Sequence, residues 1–194
     1  MKLLIMLLVT AALSNEGYQP IGGKSGVEVY RRQGHAIDLA AEGDIDASPD
    51  VVLKVLTDYG SHPKWVHGLS VSRVLDKQDR SLDVYQRLHL PMLDDRDFAM
   101  HVEWNRAGNG EREIHFATTN AKCPAPPDKG VVRVPLHEGS WHLVPVDGGQ
   151  RTHAVYRFRM ELGGSLPMWM ARGRAAKDVP ALFDAIRAQT RYYR

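Results

Sequence analysis

Four segments of this chain alternate apolar and polar residues with a period of two. Leu82, Val84, Leu88 and Leu90 alternate with Asp83, Tyr85, Arg87 and His89, and Phe98, Met100, Val102 and Trp104 alternate with Asp97, Ala99, His101 and Glu103. Ile114 and Phe116 stand between Glu113, His115 and Ala117, while Thr152, Ala154, Tyr156, Phe158, Met160 and Leu162 alternate with Arg151, His153, Arg157, Arg159 and Glu161. Successive side chains of a strand point to opposite faces, so these segments form strands with one apolar and one polar face, as in an antiparallel sheet. The apolar face needs a cover, and the chain offers few helices to supply it. A broad apolar sheet with too little protein to fill its concave side predicts a cavity, and such a cavity predicts a hydrophobic ligand.

Bulk properties narrow the class. The 194 residues suffice for one sizeable core, 43% of them are hydrophobic, and 25 basic against 23 acidic residues leave a net charge of +2. No run of Lys or Arg stands out, so nucleic acid is not an expected partner. Lys2, the apolar run Leu3–Leu13 and the small residues Ala12 and Ser14 read as a secretory signal over residues 1–14, with an uncleaved anchor as the other reading. The expectation is an exported protein, periplasmic or secreted. Its lone cysteine, Cys123, can close no internal disulfide. Residues 15–26, polar and glycine-rich, read as a linker, and residues 27–194 as one domain.

Along that domain, two strands are expected at Val27–Arg32 and Ala36–Ile45. Ser48-Pro49-Asp50 then starts a helix that carries Val51, Val52, Val55, Leu56 and Tyr59. Further strands are expected from Leu69 onward and at 82–91, 96–106, 111–119, 130–146 and 151–162. Residues Asn120–Gly130 form a long proline-containing loop. From Met168 the spacing of Ala171, Ala175, Val179, Leu182, Phe183 and Ile186 turns helical, with Pro180 inside.

Catalytic and metal signatures are sparse. His89, His101, His115 and His153 all fall on the polar parity of their strands, without ligand spacing, and no metal site or cofactor is expected. Ser140 and Ser165 lack a nucleophile elbow. The charged knot Asp94-Asp95-Arg96-Asp97 reads as a turn fixed by its own pairs.

The segments Val27-Glu28-Val29-Tyr30-Arg31-Arg32, Ile45-Asp46-Ala47-Ser48-Pro49 and Leu56-Thr57-Asp58-Tyr59 with Trp65 resemble the opening of a START (steroidogenic acute regulatory protein-related lipid transfer) domain. Val84-Tyr85-Gln86-Arg87, Arg96-Asp97-Phe98 and Lys129-Gly130-Val131-Val132-Arg133 resemble its middle, and Gly139-Ser140-Trp141 and Gly163-Gly164-Ser165-Leu166-Pro167-Met168-Trp169 its end. The resemblance implies an α+β helix-grip fold: a curved antiparallel sheet wrapped around a long C-terminal helix, with a hydrophobic tunnel between them. It also implies that the Asn120–Gly130 loop and the start of that helix gate the tunnel mouth. Sterol-handling members are similar in placing an acid and an arginine inside the tunnel, where this chain has Gln86 and Val102.

The expected function is therefore non-catalytic binding, and transfer with transient membrane contact, of a hydrophobic small molecule or lipid. A polyketide cyclase or aromatase of the same superfamily and a lipid sensor are the rival readings. The expected cavity lining is Gln86, Leu88, Arg96, Phe98, Met100, Val102, Trp104, Phe116, Trp141, Tyr156, Phe158, Met160, Trp169 and Phe183. Gln86 and Arg96 supply its polar contacts, unless Arg96 pairs with Asp94 or Asp97. Met168, Trp169 and Met170 are the groups suited to touch a membrane surface or close the mouth.

Overall fold

A computed structural model describes residues 2–124, 127–165 and 168–193; the side chains of residues 2–8 and of Met168 lie outside that description. The chain forms helix α1 (Lys2–Asn15), strands β1 (Gln19–Lys24), β2 (Val27–Arg31) and β3 (Ile37–Ile45), helix α2 (Pro49–Thr57), and strands β4 (Leu69–Lys77), β5 (Ser81–Leu88), β6 (Asp95–Arg106) and β7 (Arg112–Thr118). Strands β8 (Val131–Arg133), β9 (Leu136–Val146) and β10 (Arg151–Glu161) and helix α3 (Met168–Gln189) complete it. The sheet runs β1-β2-β3-β10-β9-β7-β6-β5-β4 with antiparallel neighbours, and β8 adds to β6 in parallel. Its curved concave face wraps α3, which makes this a helix-grip fold.

The alternation in the sequence becomes the two faces of this sheet. Leu82 and Val84 of β5, Phe98, Met100 and Val102 of β6, Ile114 and Phe116 of β7 and Ala154, Tyr156, Phe158 and Met160 of β10 all join one core with Val179, Phe183 and Ile186 of α3. Helix α2 closes one end of the concave face through Val52, Leu53, Val55 and Leu56. Its first turn is tied to β7 by a two-pronged ion pair, Arg112 Nε–Asp50 Oδ1 and Arg112 Nη2–Asp50 Oδ2, both 3.0 Å. Phe183 reaches β3 where a Cβ on Gly43 would stand 3.3 Å from its ring, so the glycine seats the helix.

Two segments depart from the sequence reading. The stretch expected as one strand over 130–146 divides at Pro135, which has no N–H for a ladder; β8 then pairs with β6 instead of continuing the path. Within residues 15–26, expected as a linker, Gln19–Lys24 pair with β2. The Ser25-Gly26 turn makes this hairpin: both residues have positive φ, 56° and 71°, the geometry that keeps two twisted strands together. Helix α1 lies against the convex face, where Leu13 is buried with Tyr18, Tyr30 and Ala40. Thr10 and Tyr30 there donate to Glu42, a buried carboxylate that also meets His153 Nε2 at 3.1 Å. Burial works against the Glu42 charge, yet the hydrogen bonds from His153, Tyr30 and Thr10 outweigh it and hold the carboxyl below its usual range.

Candidate ligand cavity

Between the concave face and α3 the structure leaves two adjoining chambers. The inner one, about 160 Å³, lies among β5, β6, β7, β9 and β10 and the turn after α2. The outer one, about 220 Å³, lies between β10 and α3. Trp65, Val66, Tyr156 and Leu182 line both and form the partition. The outer void has a simple origin: α3 presents Ala175, Ala181 and Ala185 to Tyr156, Phe158 and Met160, and alanine side chains are too short to fill the gap. A larger depression of about 510 Å³ lies on the convex face, but it is open and lined by charged groups such as Glu16, Arg32, Asp38 and Arg157, so an apolar ligand gains little there.

Nine expected lining residues meet at these chambers. Gln86, Leu88, Phe98, Met100, Phe116, Trp141 and Tyr156 line the inner one, and Tyr156, Phe158 and Met160 the outer one. The rings pack on one another: Trp141 and Tyr156 stack at 4.2 Å between centroids, and Tyr156 and Phe158 at 5.2 Å. Gly139 allows this arrangement. A Cβ there would stand 2.1 Å from the Arg157 carbonyl oxygen and 2.6 Å from Phe116 Cζ, so only glycine lets the Phe116 ring cross β9.

The other five lie elsewhere. Val102 points inward but is buried in the packed end of the core, and Phe183 sits behind Trp141, 5.3 Å away, as part of the cavity's solid backing. Trp104 lies beyond the cavity toward the β6–β7 hairpin, beside Arg80 and His115. Trp169 is 74% exposed and Met170 45%, because the first turn of α3 precedes the first buried position, Ala171. Arg96 is buried but spends its guanidinium on backbone carbonyls: Nε on Leu162 at 3.1 Å, Nη2 on Gly163 at 3.3 Å and Nη1 on Asp94 at 2.5 Å. It pins the segment leading into α3, whereas Asp97 takes Arg133, through Nε at 2.7 Å.

The Asn120–Gly130 loop is also not at the mouth. Cys123 packs with Tyr85 and Ala99, side chains of the opposite parity to the cavity lining. Lys122 bonds Asp83, and Arg87 pairs with Asp128 at 2.5 Å, so the loop is clamped to the back of β5 and β6. Ala125 and Pro126 lie outside the described residues. The wall that faces α3 is instead made by Trp65 and Val66, which follow the turn Tyr59–Lys64. That wall is tied to the end of the chain, since Tyr193 bonds Asp58 and its hydroxyl lies 3.2 Å from Ser61 Oγ.

Sequence reasoning missed Tyr59, His62, His137 and Leu182, all of which line the inner chamber. His137 was legible: it shares the parity of Gly139, Trp141 and Leu143 on β9, opposite to the solvated His142. No described residue of the inner chamber is an Asp, Glu, Lys or Arg. Burial pushes both His62 and His137 down to about 4, so each ring is neutral at pH 7. His62 Nε2 faces the Val55 carbonyl oxygen at 3.3 Å and donates to it. Burial also raises the Tyr59 and Tyr156 phenols above their ordinary value. The inner chamber is thus apolar and uncharged, with aromatic and aliphatic walls and a few hydrogen-bonding groups, while Asp178 stands at the outer one. No group of three or more metal-ligating side chains gathers among the described residues.

Comparison with known proteins agrees with this geometry. The family described as polyketide cyclase / dehydrase and lipid transport matches residues 45–187. An uncharacterized protein of Pseudomonas aeruginosa is 28% identical over 129 residues, 66% of this chain, and the chain spans 62% of that relative's length. Among solved structures, a STAR-related lipid transfer protein from Xanthomonas axonopodis superposes with a TM-score of 0.81 at 26% identity, covering 90% of this chain and 99% of that one. Human StAR-related lipid transfer protein 5 gives 0.80 at 16% identity, over 99% and 95% of the two chains. The Zhui aromatase/cyclase of Streptomyces sp. R1128 gives 0.57 at 15%, over 81% and 94%.

Proposed function

The chain belongs to the polyketide cyclase / dehydrase and lipid transport family and is a START-type helix-grip domain, and from that premise we propose that it binds an uncharged hydrophobic molecule between the sheet and α3 and carries it between membranes. The observation that carries this reading is the two-chambered apolar void whose inner lining has no charged residue. Each CH₂ that leaves water for such a lining gains about 0.8 kcal/mol. Size sets how loading proceeds. A void of about 150 Å³ takes a single benzene-sized ring, and ordinary ligand pockets run to roughly 300–1,000 Å³. The inner chamber alone is therefore a one-ring site. A longer ligand needs Trp65 and Leu182 to part and join the chambers, with α3 moving against the Tyr59–Lys64 turn.

Non-catalytic binding is favoured over cyclisation by the protonation states of the lining. Proton-transfer catalysis works best with a group that titrates near the operating pH. The two histidines lie far below neutrality and the two phenols above their ordinary range. Export rests on Lys2 and the Leu3–Leu13 run, and exposed Trp169 and Met170 are the groups proposed to meet a bilayer.

Native mass spectrometry of the purified full chain, with organic extraction, tests the reading. It should reveal a co-purifying uncharged hydrophobic molecule, and Leu182→Trp, which fills the partition, should abolish binding of the apolar fluorophore N-phenyl-1-naphthylamine. The same spectrum reads export, since the mature mass should correspond to a chain beginning near Asn15. A ligand-free protein whose fluorophore binding ignores Leu182→Trp would refute the cavity function.

A further inference from the structure

The inner chamber holds a polar group that the fold does not use. His137 Nδ1 is buried and has no hydrogen-bond partner among the described residues. Buried polar groups are nearly always paired, because an unpaired one forfeits its hydration for nothing. Its ring is held by aromatic edges instead: Phe98 lies 4.9 Å away at 81°, Phe116 5.1 Å away, and Phe158 6.3 Å away at 88°. A phenylalanine would fill that box and leave no nitrogen unpaired, so packing alone does not account for a histidine there.

The surroundings say what would pair with it. Tyr59 and Tyr156 also line the chamber, and neither hydroxyl bonds a described residue. Gln86, which donates to Ser72 Oγ at 3.1 Å, and His62, already bonded to the Val55 carbonyl, are further polar groups of the lining. Trp65, Phe98, Phe116 and Trp141 give this wall flat aromatic surface on which a ring can stack, and leucine, valine and methionine side chains fill the remainder. An ion entering this chamber would meet no counter-charge, at a large desolvation cost.

We infer that the inner chamber recognises an uncharged planar ring bearing a hydroxyl or carbonyl oxygen, with that oxygen bonded to the His137 ring nitrogen that is open to the chamber, Nε2, which no described residue bonds, and the ring packed among Phe98, Phe116 and Tyr156. A carbonyl oxygen selects the tautomer with the proton on Nε2, and a hydroxyl can serve either tautomer. The inference rests on the cavity being a hydrophobic-ligand site and adds which end of the ligand enters first: the oxygenated ring, with any apolar tail trailing into the outer chamber beside Ala181 and Ala185.

The test uses phenol, benzene and benzoate, single rings that fit the inner chamber, against the full chain by calorimetry, with His137→Phe alongside. One hydrogen bond predicts that the phenol-to-benzene affinity ratio falls roughly five- to tenfold in His137→Phe. Benzoate should bind neither protein. In wild type, the nitrogen-15 resonance of His137 Nε2 should move with phenol and stay with benzene; this arm decides alone if His137→Phe does not fold. An unchanged ratio together with an unmoved resonance overturns the inference while leaving the cavity function intact. Failure of benzene and phenol alike to bind wild type overturns both.

Discussion

Acid should unfold this protein through its cavity. His62 and His137 are pushed by burial down to about 4, whereas a histidine in an unfolded chain titrates near 6.5. Between those values the unfolded state takes up protons that the native state refuses, so stability falls as the pH falls. At pH 4.5 each histidine costs about 2.5 kcal/mol, from roughly 1.4 kcal/mol per unit over most of the gap. The two together approach the whole stability of an ordinary domain, roughly 5–15 kcal/mol. The neighbourhoods do not rescue them: His62 has the Asp58 charge and the Val55 carbonyl, both outweighed by burial, and nothing offsets burial at His137. His153 works with the opposite sign. Burial lowers it, but Glu42 and Asp44 raise it further, so its contribution is full below about 6.5 and lost as pH rises through its higher native value. Asp50, Asp58 and Asp83 are held low, and the stability they supply is lost only below about 4. Urea unfolding at pH 7 and pH 4.5, for wild type and for a His62→Gln, His137→Phe double variant, isolates the cavity term. The acid loss should shrink by about 5 kcal/mol in the variant. An equal loss in both proteins, or ring resonances of His62 and His137 that titrate near 6.5, would refute the reasoning.

Two further outcomes follow from close contacts. Gly139→Ala should cost about 3 kcal/mol or more in thermal melts, because the new methyl meets the Arg157 carbonyl and the Phe158 Cα, which are backbone and cannot swing aside; an unchanged midpoint would show that β9 shifts freely. Arg96→Leu leaves the carbonyls of Leu162, Asp94 and Gly163 without their donor and should cost about 2–3 kcal/mol, with faster amide exchange over 162–175; exchange unchanged in that stretch would deny Arg96 its hold on α3.

How much was legible depended on which residues kept a clean period. Strands β5, β6, β7 and β10 announced themselves because one face is apolar and the other carries most of the polar groups, so Asp83, Glu113 and Arg159 mark one side and Val84, Ile114 and Phe158 the other, even where the polar side is itself covered, as at Asp83. Strand β9 was expected within 130–146, but its facing was hidden, because its inward row reads His137, Gly139, Trp141, Leu143, with a polar ring and a glycine where alternation demands apolar bulk. Those two residues are the ones that shape the chamber, one as its unpaired nitrogen and one as the gap that admits Phe116. The β1–β2 hairpin escaped because its signal is the backbone of Ser25-Gly26 rather than any hydrophobic pattern. Arg96 was expected in the cavity because its parity is inward, yet a guanidinium reaches past its own strand to whatever carbonyls lie nearby.

Periodicity identifies walls, whereas a void is decided by what the opposing element leaves unfilled. Tyr156, Phe158 and Met160 would form an ordinary core if α3 answered them with leucines. The helix answers with leucine, valine and phenylalanine at Val179, Leu182 and Phe183, and with alanine at 175, 181 and 185. The first set binds α3 to the sheet, and the second leaves the outer chamber. The helix is held at both ends, by Phe183, Ile186 and the Arg187 bonds to the carbonyls of Asp44 and Ser25 on one side and by Ala171 and the Arg172 bonds to the carbonyls of Gly34 and Ala36 on the other, so the void is confined to its alanine-faced turns. Elements that open are drawn from the least stable part of a fold. The joining of the chambers proposed above therefore falls to the Leu182 and Trp65 partition, flanked by Ala181 and Ala185, where the least side-chain packing has to be given up.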